Sequence, residues 1–191
     1  MSDKNLAHLK SEIQWHAKNG LDFILSASIV WFLIYFIWSQ PNSTYNKSVL
    51  TFMIGAILLP LAFGLSRLLK TNWKVKNNPL QPLGLWLNFA QLIYFPFLIF
   101  VLIRYPDYFI MTYAIITGAH LFPYAWFYDE WGYAVTAITI SIGSFLLALN
   151  IGVDNMQLVP LFTASALMLF AVWISYGVLK RKGSTSQTIR Y

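Results

Sequence analysis

The chain contains no cysteine and few charged residues, and these two absences narrow its function before any motif is considered. The lack of cysteine excludes disulfide bonds, thiolate metal sites and cysteine nucleophiles. Only 10% of the residues are charged and 58% are hydrophobic, whereas soluble domains carry about 25% charged residues. Because charge is this scarce, the composition indicates a membrane protein.

Common catalytic and nucleotide-binding signatures are also missing. The sequence has no H-E-x-x-H zinc motif, no Walker A loop and no G-x-G-x-x-G loop. Gly143 and Ser144 lack the frame of a nucleophile elbow. We therefore predict no catalytic residue, no metal site and no cofactor. Because the basic residues flank apolar blocks, we also predict no nucleic-acid partner.

Six apolar blocks of 18 to 22 residues dominate the sequence. Each is long enough to cross a hydrocarbon core of about 30 Å at 1.5 Å per residue. We predict an all-α, polytopic integral membrane protein with a bundle of six transmembrane helices over 21–179. An amphipathic cytoplasmic segment, 1–20, precedes the bundle, and a basic cytoplasmic tail, 180–191, follows it. The predicted spans are 21–39, 49–66, 83–103, 108–128, 133–151 and 158–179.

The basic residues are unevenly placed around these blocks. All but Lys47 and Arg104 of the 13 lysines and arginines lie in segments that a six-span chain puts on one side. Since cytoplasmic segments carry the excess of basic residues, both termini are predicted to be cytoplasmic and the protein to lie in the cell (inner) membrane. The lipid bilayer is thus a predicted partner. Small residues at helical spacing, in the second and fifth blocks, leave a homo-oligomer open.

Polar side chains are rare inside the blocks, and several converge on one layer. In the fourth block Thr117, His120 and Tyr124 share one helical stripe, and in the third block Asn88 and Gln91 share another. Counted along their helices, Asn88, Gln91 and His120 lie roughly 8 to 12 Å from the predicted cytoplasmic edge. These five residues therefore predict a polar cavity that faces the cytoplasm and binds a small molecule.

Three acids, Asp22, Asp129 and Glu130, lie at the inner boundary, and we place them at the mouth of this cavity. Pro123 interrupts the fourth block beside the histidine. Because proline has no N–H, it predicts a kink and a free carbonyl on Ala119. Interrupted helices of this kind line the substrate sites of transporters.

Three functions follow from this layer. The leading hypothesis is a carrier or permease-like protein for a small molecule, with His120 at the centre of its cavity. The alternative is a non-catalytic scaffold or regulatory subunit, because polar side chains also bond membrane helices to one another. An intramembrane enzyme acting on lipid ranks third, since the blocks contain no carboxylate pair and no cluster of metal ligands.

The string GAHLFPYAWFY lies in the fourth of the six blocks. With this string, its size and its short N-terminal helix, the chain resembles a family of small bacterial membrane proteins of unknown function, the YoaS-like group. The resemblance covers most of the chain and implies a bacterial inner-membrane protein. It implies no catalytic residue.

Overall fold

The structure, a computed structural model, describes residues 5–188 and the side chains up to Arg181. The outer ends of the predicted N-terminal segment and basic tail, with Lys4 and Arg190, lie outside the described residues. Between residues 5 and 188 the chain is all α-helical, with no strand. The α-helices are α1 Leu6–Ala17, α2 Leu21–Trp38, α3 Thr44–Gly55, α4 Leu58–Leu69, α5 Gln81–Leu92, α6 Phe95–Arg104, α7 Phe109–Leu121, α8 Tyr124–Phe127, α9 Gly132–Asn150 and α10 Leu158–Thr188.

The predicted spans differ in continuity. The first, fifth and sixth blocks each hold one uninterrupted helix, namely α2, α9 and α10. The second, third and fourth blocks are each broken close to a proline: Pro60, Pro96 or Pro123. Proline cannot donate an N–H to the preceding turn, so the ladder of helical hydrogen bonds is interrupted there.

Five helical stretches in the described residues are long and apolar enough to cross a membrane. The fourth predicted span, which the structure divides into α7 with 13 residues and α8 with 4, is not among them. The five stretches are Leu6–Trp38, Thr44–Leu69, Gln81–Arg104, Gly132–Asn150 and Val153–Arg181.

The core lies where four helices meet. α10 packs along both α2 and α9, and α7 packs along α9. Each helix contributes a side chain with no exposed surface, and these are Ile34, Ile110, Ile140 and Leu167. Burial of branched apolar side chains from all four helices holds α2, α7, α9 and α10 together.

Small residues let α7 and α9 approach closely. The Ser141 hydroxyl on α9 donates to the Ile115 carbonyl on α7 over 3.2 Å. A Cβ atom on Gly118 would lie 2.5 Å from the same hydroxyl oxygen. The small-residue face of the fifth block is therefore used inside the chain. That of the second block, at Ala56 and Gly64, stays exposed, and the homo-oligomer stays a prediction.

One end of the bundle is covered by α1. The Asn72 N–H donates to the His16 carbonyl over 2.7 Å, and the Asn78 amide donates to the Leu9 carbonyl over 2.8 Å. Gln14 donates to the Tyr128 carbonyl. We call this end, made of α1, the loop 70–80, the turn 129–131 and the last described turns of α10, the capped end.

The opposite end holds shorter connections. The Trp38 indole donates to the Thr51 hydroxyl over 3.0 Å, which ties α2 to α3. The Thr44 hydroxyl donates to the Asp107 carboxylate over 2.6 Å, which ties α3 to the loop after α6. The two ends thus differ, because in the part of the chain that the structure describes α1 lies across the capped end and no further α-helix lies across the other.

Candidate functional site

His120 lies in the last turn of α7, just before the break at Phe122 and Pro123. Its side chain is half-buried, and its ring meets that of Tyr124 edge-on, with centroids 5.4 Å apart and planes at 74°. The Phe122 N–H donates to the Ala119 carbonyl over 3.2 Å, which is a three-residue turn rather than a helical one. The prediction of a free carbonyl on Ala119 is therefore wrong, because the turn tightens before the proline.

Tyr124 connects this turn to α5. Its hydroxyl donates to the Gly84 carbonyl over 3.3 Å, and the Asn88 amide donates to the same carbonyl over 3.0 Å. A Cβ atom on Gly84 would lie 3.0 Å from the ring of Phe127, so a side chain there would press on that ring. Asn88, His120 and Tyr124 thus come together where α5 packs on α7 and α8. Asn88 is exposed, so this contact reaches the surface.

Gln91 and Thr117 lie one turn away from this contact, on α5 and α7. Thr117 is 8% exposed, and its hydroxyl has no hydrogen-bond partner among the described residues. Within residues 5–188 the side chains of Gln91 and His120 form no hydrogen bond either. An unsatisfied buried polar group costs about 1–3 kcal/mol, so the buried Thr117 hydroxyl calls for a water, an ion or a ligand as partner. Polar side chains without a partner among the described residues thus lie on both helices beside the contact, and the one on Thr117 is buried.

Asp22, predicted at the mouth of the cavity, is 1% exposed at the start of α2. One carboxylate oxygen accepts from the Thr71 hydroxyl and from the Trp73 indole, each over 2.6 Å. The other oxygen accepts from the Phe23 N–H over 3.0 Å. Three neutral donors and the N-terminus of α2 thus stabilise this carboxylate. Asp22 thus fastens the loop 70–80 to α2.

Glu130, also predicted at the mouth, joins three elements at the capped end. Its carboxylate accepts from the Asn19 amide over 3.2 Å and from the Trp173 indole over 3.1 Å. The Arg181 guanidinium lies 3.7 Å from it and donates to the Asn19 side-chain oxygen over 3.3 Å. Asp129, in contrast, is exposed, and its left-handed backbone, with φ 48°, makes the turn between α8 and α9.

The turn that carries Asn19 is a feature of the capped end that was not predicted from the sequence. Lys18, Asn19 and Gly20 all have left-handed backbone, with φ of 47°, 54° and 67°. The buried Asn19 accepts a hydrogen bond on its carbonyl from the Tyr133 hydroxyl over 2.6 Å. Asn-Gly is a strong turn signal, and it could have identified this turn at the boundary between the N-terminal segment and the first span.

A separate groove of about 450 Å³ lies between α9 and α10. Its walls are mainly apolar, and none of the five predicted cavity residues lines it. Thr136, Thr139 and Ser165 are the polar side chains in its walls, and Trp131 and Trp173 stand at its capped end. The groove and the contact around His120 are therefore two distinct candidate sites.

Neither candidate site contains the ligands of a metal ion. Across the described residues, no three side chains of histidine, aspartate or glutamate lie together in a way that could hold one. The acids at the capped end are instead bonded to amide, hydroxyl, indole and guanidinium donors. The chemistry offered around His120 is hydrogen bonding and aromatic contact.

A family model matches residues 6–176, which is most of the chain. The chain belongs to the DUF7010 family. DUF7010 is a family of unknown function. No match was found among curated proteins or among solved structures. DUF7010 membership agrees with the predicted family of unknown function, but it does not identify that family as the YoaS-like group, which stays a prediction.

Proposed function

We propose that the chain is a multi-pass protein of the cell (inner) membrane, with six crossings and both termini in the cytoplasm. The five long apolar helices support five of these crossings. The sixth would be α7 with α8, which together extend about 28 Å at 1.5 Å per residue. The basic side chains of Lys18 and Arg181 lie at the capped end, whereas Lys47 lies at the opposite end, and this asymmetry favours a cytoplasmic capped end.

The absence of cysteine gives this topology a clean test. Three exposed loop residues can each be replaced in an otherwise cysteine-free chain: Lys76→Cys at the capped end, and Asn42→Cys and Asp154→Cys at the opposite end. With a membrane-impermeant maleimide on intact cells, Asn42→Cys and Asp154→Cys should react, and Lys76→Cys should react only after lysis. Labelling of Lys76→Cys on intact cells would contradict the orientation.

We infer further that the protein is a permease-like carrier and that its small-molecule ligand binds around His120. One observation carries this inference: polar side chains that bond to none of the described residues stand beside two helix interruptions. Gln91 is the residue before the last of α5, and His120 is the residue before the last of α7. Thr117 adds a buried hydroxyl without a partner among the described residues. Broken helices with free polar groups are the arrangement with which transporters bind substrate.

In this proposal the conformation is closed toward the cytoplasm. Asp22 holds the loop 70–80, and Glu130 holds Asn19 and Arg181, so α1 stays across the capped end. A carrier exposes its site to the two sides in turn. Release of these hydrogen bonds would open the inner side, and Asp22, Asp129 and Glu130 would then border the opening.

The role of His120 can be tested by ligand-induced thermal stabilisation. Purified protein is screened against metabolites and ions at neutral and mildly acidic pH, with His120→Ala beside His8→Ala as the matched control. His8 lies on α1, with a side chain that is 61% exposed. A compound that stabilises the wild type and His8→Ala should no longer stabilise His120→Ala. A folded His120→Ala variant that keeps the full shift would remove His120 from the site.

A scaffold or regulatory subunit is the second candidate, and the hydrogen bond from Tyr124 to Gly84 favours it. Hydrogen bonds between membrane helices contribute about 0.6 kcal/mol each. If the polar contact only holds helices together, Tyr124→Phe should lower the melting temperature slightly. In that case no compound in the screen should stabilise the wild type.

A further inference from the structure

Two phenylalanine rings that line the groove between α9 and α10 lie against glycines of α9. A Cβ atom on Gly132 would lie 2.7 Å from the ring of Phe170, and one on Gly143 would lie 2.5 Å from the ring of Phe162. The two rings therefore sit directly on the backbone of α9. Between them α9 and α10 leave the groove of about 450 Å³, a volume within the range of about 300–1,000 Å³ that ligand sites occupy.

Two tryptophans frame the capped end of the groove. Trp131 and Trp173 meet edge-to-face with centroids 5.2 Å apart, and they are 62% and 50% exposed. The Trp173 indole is fixed by its hydrogen bond to Glu130 over 3.1 Å. Exposed tryptophans at the end of an apolar helix are typical of the interface between hydrocarbon and headgroups.

Two threonines place hydroxyls just inside that interface. Counted from Gly132, Thr136 and Thr139 lie about 6 Å and 10 Å along α9. Both line the groove, and neither hydroxyl bonds to another of the residues that the structure describes. These hydroxyls are therefore polar groups inside an otherwise mainly apolar groove.

A basic residue continues the same face of α10 beyond the tryptophan. Lys180 follows Trp173 by seven residues, which is two helical turns, so it lies on the same helical face about 10 Å further out. It is exposed, and Lys182 follows it in the sequence. An apolar groove that ends at two tryptophans, with a cation beyond them, suits a ligand with an apolar chain and an anionic headgroup, as in an anionic phospholipid.

We propose that this groove binds an acyl chain of an anionic phospholipid, with the headgroup at the tryptophan end of the groove and the phosphate within reach of the Lys180 side chain. The inference rests on the membrane insertion in the proposed function, but it does not depend on a ligand at His120. A helix of a second copy is the competing occupant of the groove.

Native mass spectrometry of the detergent-purified full chain can measure this binding with added phosphatidylglycerol and, separately, phosphatidylcholine. Ala166→Phe fills the groove, and Ala90→Phe, on an exposed position of α5, is its control. We expect Ala166→Phe to lose phosphatidylglycerol adducts about tenfold and Ala90→Phe to keep them. Equal adducts in the two variants would overturn the proposal. So would a dimer that only Ala166→Phe disrupts, since that result assigns the groove to a second copy.

The position of the lipid phosphate is tested by substituting two exposed lysines, neither of which is part of the core. Lys180→Gln should remove most of the preference for phosphatidylglycerol over phosphatidylcholine, whereas Lys76→Gln, at another exposed lysine of the capped end, should retain it. An unchanged preference in Lys180→Gln would overturn the phosphate position. Carbonate extraction of membranes tests insertion by itself, and His120→Ala should leave the lipid adducts unchanged. A failed carrier hypothesis is thereby distinguished from a failed lipid site.

Discussion

Two regions of this bundle have nearly the same hydropathy and pack very differently. In Leu6–Trp38, Gly132–Asn150 and Val153–Arg181, 50%, 39% and 44% of the most apolar window is buried. In Thr44–Leu69 and Gln81–Arg104 the share is only 17%, although the mean hydropathy, 2.2 and 2.0, is at least as high. Hydropathy therefore identifies apolar helices, but it does not decide which of them form the core.

The difference follows from where small residues and polar anchors lie, since prolines interrupt helices in both regions. We call α2, α7, α9 and α10 the packed helices and α3–α6 the peripheral helices. The packed helices meet through Gly118 and Ser141, and Asp22 and Glu130 anchor their capped end. The peripheral helices are broken near Pro60 and Pro96 and expose most of their apolar side chains. His120 lies on the boundary, where packed α7 meets peripheral α5.

The largest expected effect comes from removing the carboxylate of Asp22 in the packed region. Asp22→Ala leaves the Thr71 hydroxyl, the Trp73 indole and the Phe23 N–H without their acceptor. Hydrogen bonds to a charged group contribute about 1.5–3 kcal/mol each, so we expect a loss of at least about 3 kcal/mol in the free energy of unfolding. Thermal denaturation of the purified protein measures it. Asp154→Ala, at an exposed acid, is the control and should leave the melting temperature unchanged.

The difference in packing between the two regions is tested by shortening one apolar side chain in each of them. Ile34, on packed α2, has no exposed surface, whereas Leu85, on peripheral α5, is 58% exposed. Ile34→Ala should cost about 2–5 kcal/mol because it leaves a cavity in the core. Leu85→Ala should cost less than about 0.5 kcal/mol, as is usual for surface positions. Similar losses in denaturation would mean that another surface, such as a second copy, covers α5.

A smaller effect is expected at the left-handed turn before α2. In Gly20→Ala the new methyl group would lie 2.9 Å from the Tyr133 hydroxyl, on a backbone with φ 67°. A residue with a Cβ atom is disfavoured in this conformation by about 1–2 kcal/mol, so the melting temperature should fall. Gly152→Ala is the control, because nothing lies within 4 Å of its new methyl group and its φ is −72°. If both variants melted alike, the turn would tolerate side chains.

The sequence was sufficient to predict the helical class and the position of the apolar blocks, because both follow from composition and block length. It could not predict that the Asp22 carboxylate bonds to Thr71 and Trp73, or that the Glu130 carboxylate bonds to Asn19 and lies beside Arg181. These contacts join segments that are far apart in the chain. Nor could it reveal the groove, whose shape depends on two phenylalanine rings seated on glycines of the neighbouring helix.

The smallest effect on stability is expected from replacing a proline that interrupts the peripheral helices. Pro96→Ala supplies an N–H that can bond to the Leu92 carbonyl and join α5 to α6. The free energy of unfolding should change by less than about 1 kcal/mol. The new hydrogen bond stabilises the folded state, but without proline the unfolded chain gains conformational entropy, and the two effects offset each other. Hydrogen exchange should slow at Ile93 and Tyr94, whose N–H groups now bond only to Ala90 and Gln91 in three-residue turns.

Pro160→Ala, in the first turn of α10, is the control for this change, because an N–H there has no partner within the helix. Unchanged exchange at Tyr94 would mean that packing of α5 on α7, and not the proline, breaks the helix. If exchange slows and the ligand-induced shift is also lost, the interruption beside Gln91 is part of the site. Slower exchange with an intact shift would confine the site to α7, on the packed side of the boundary.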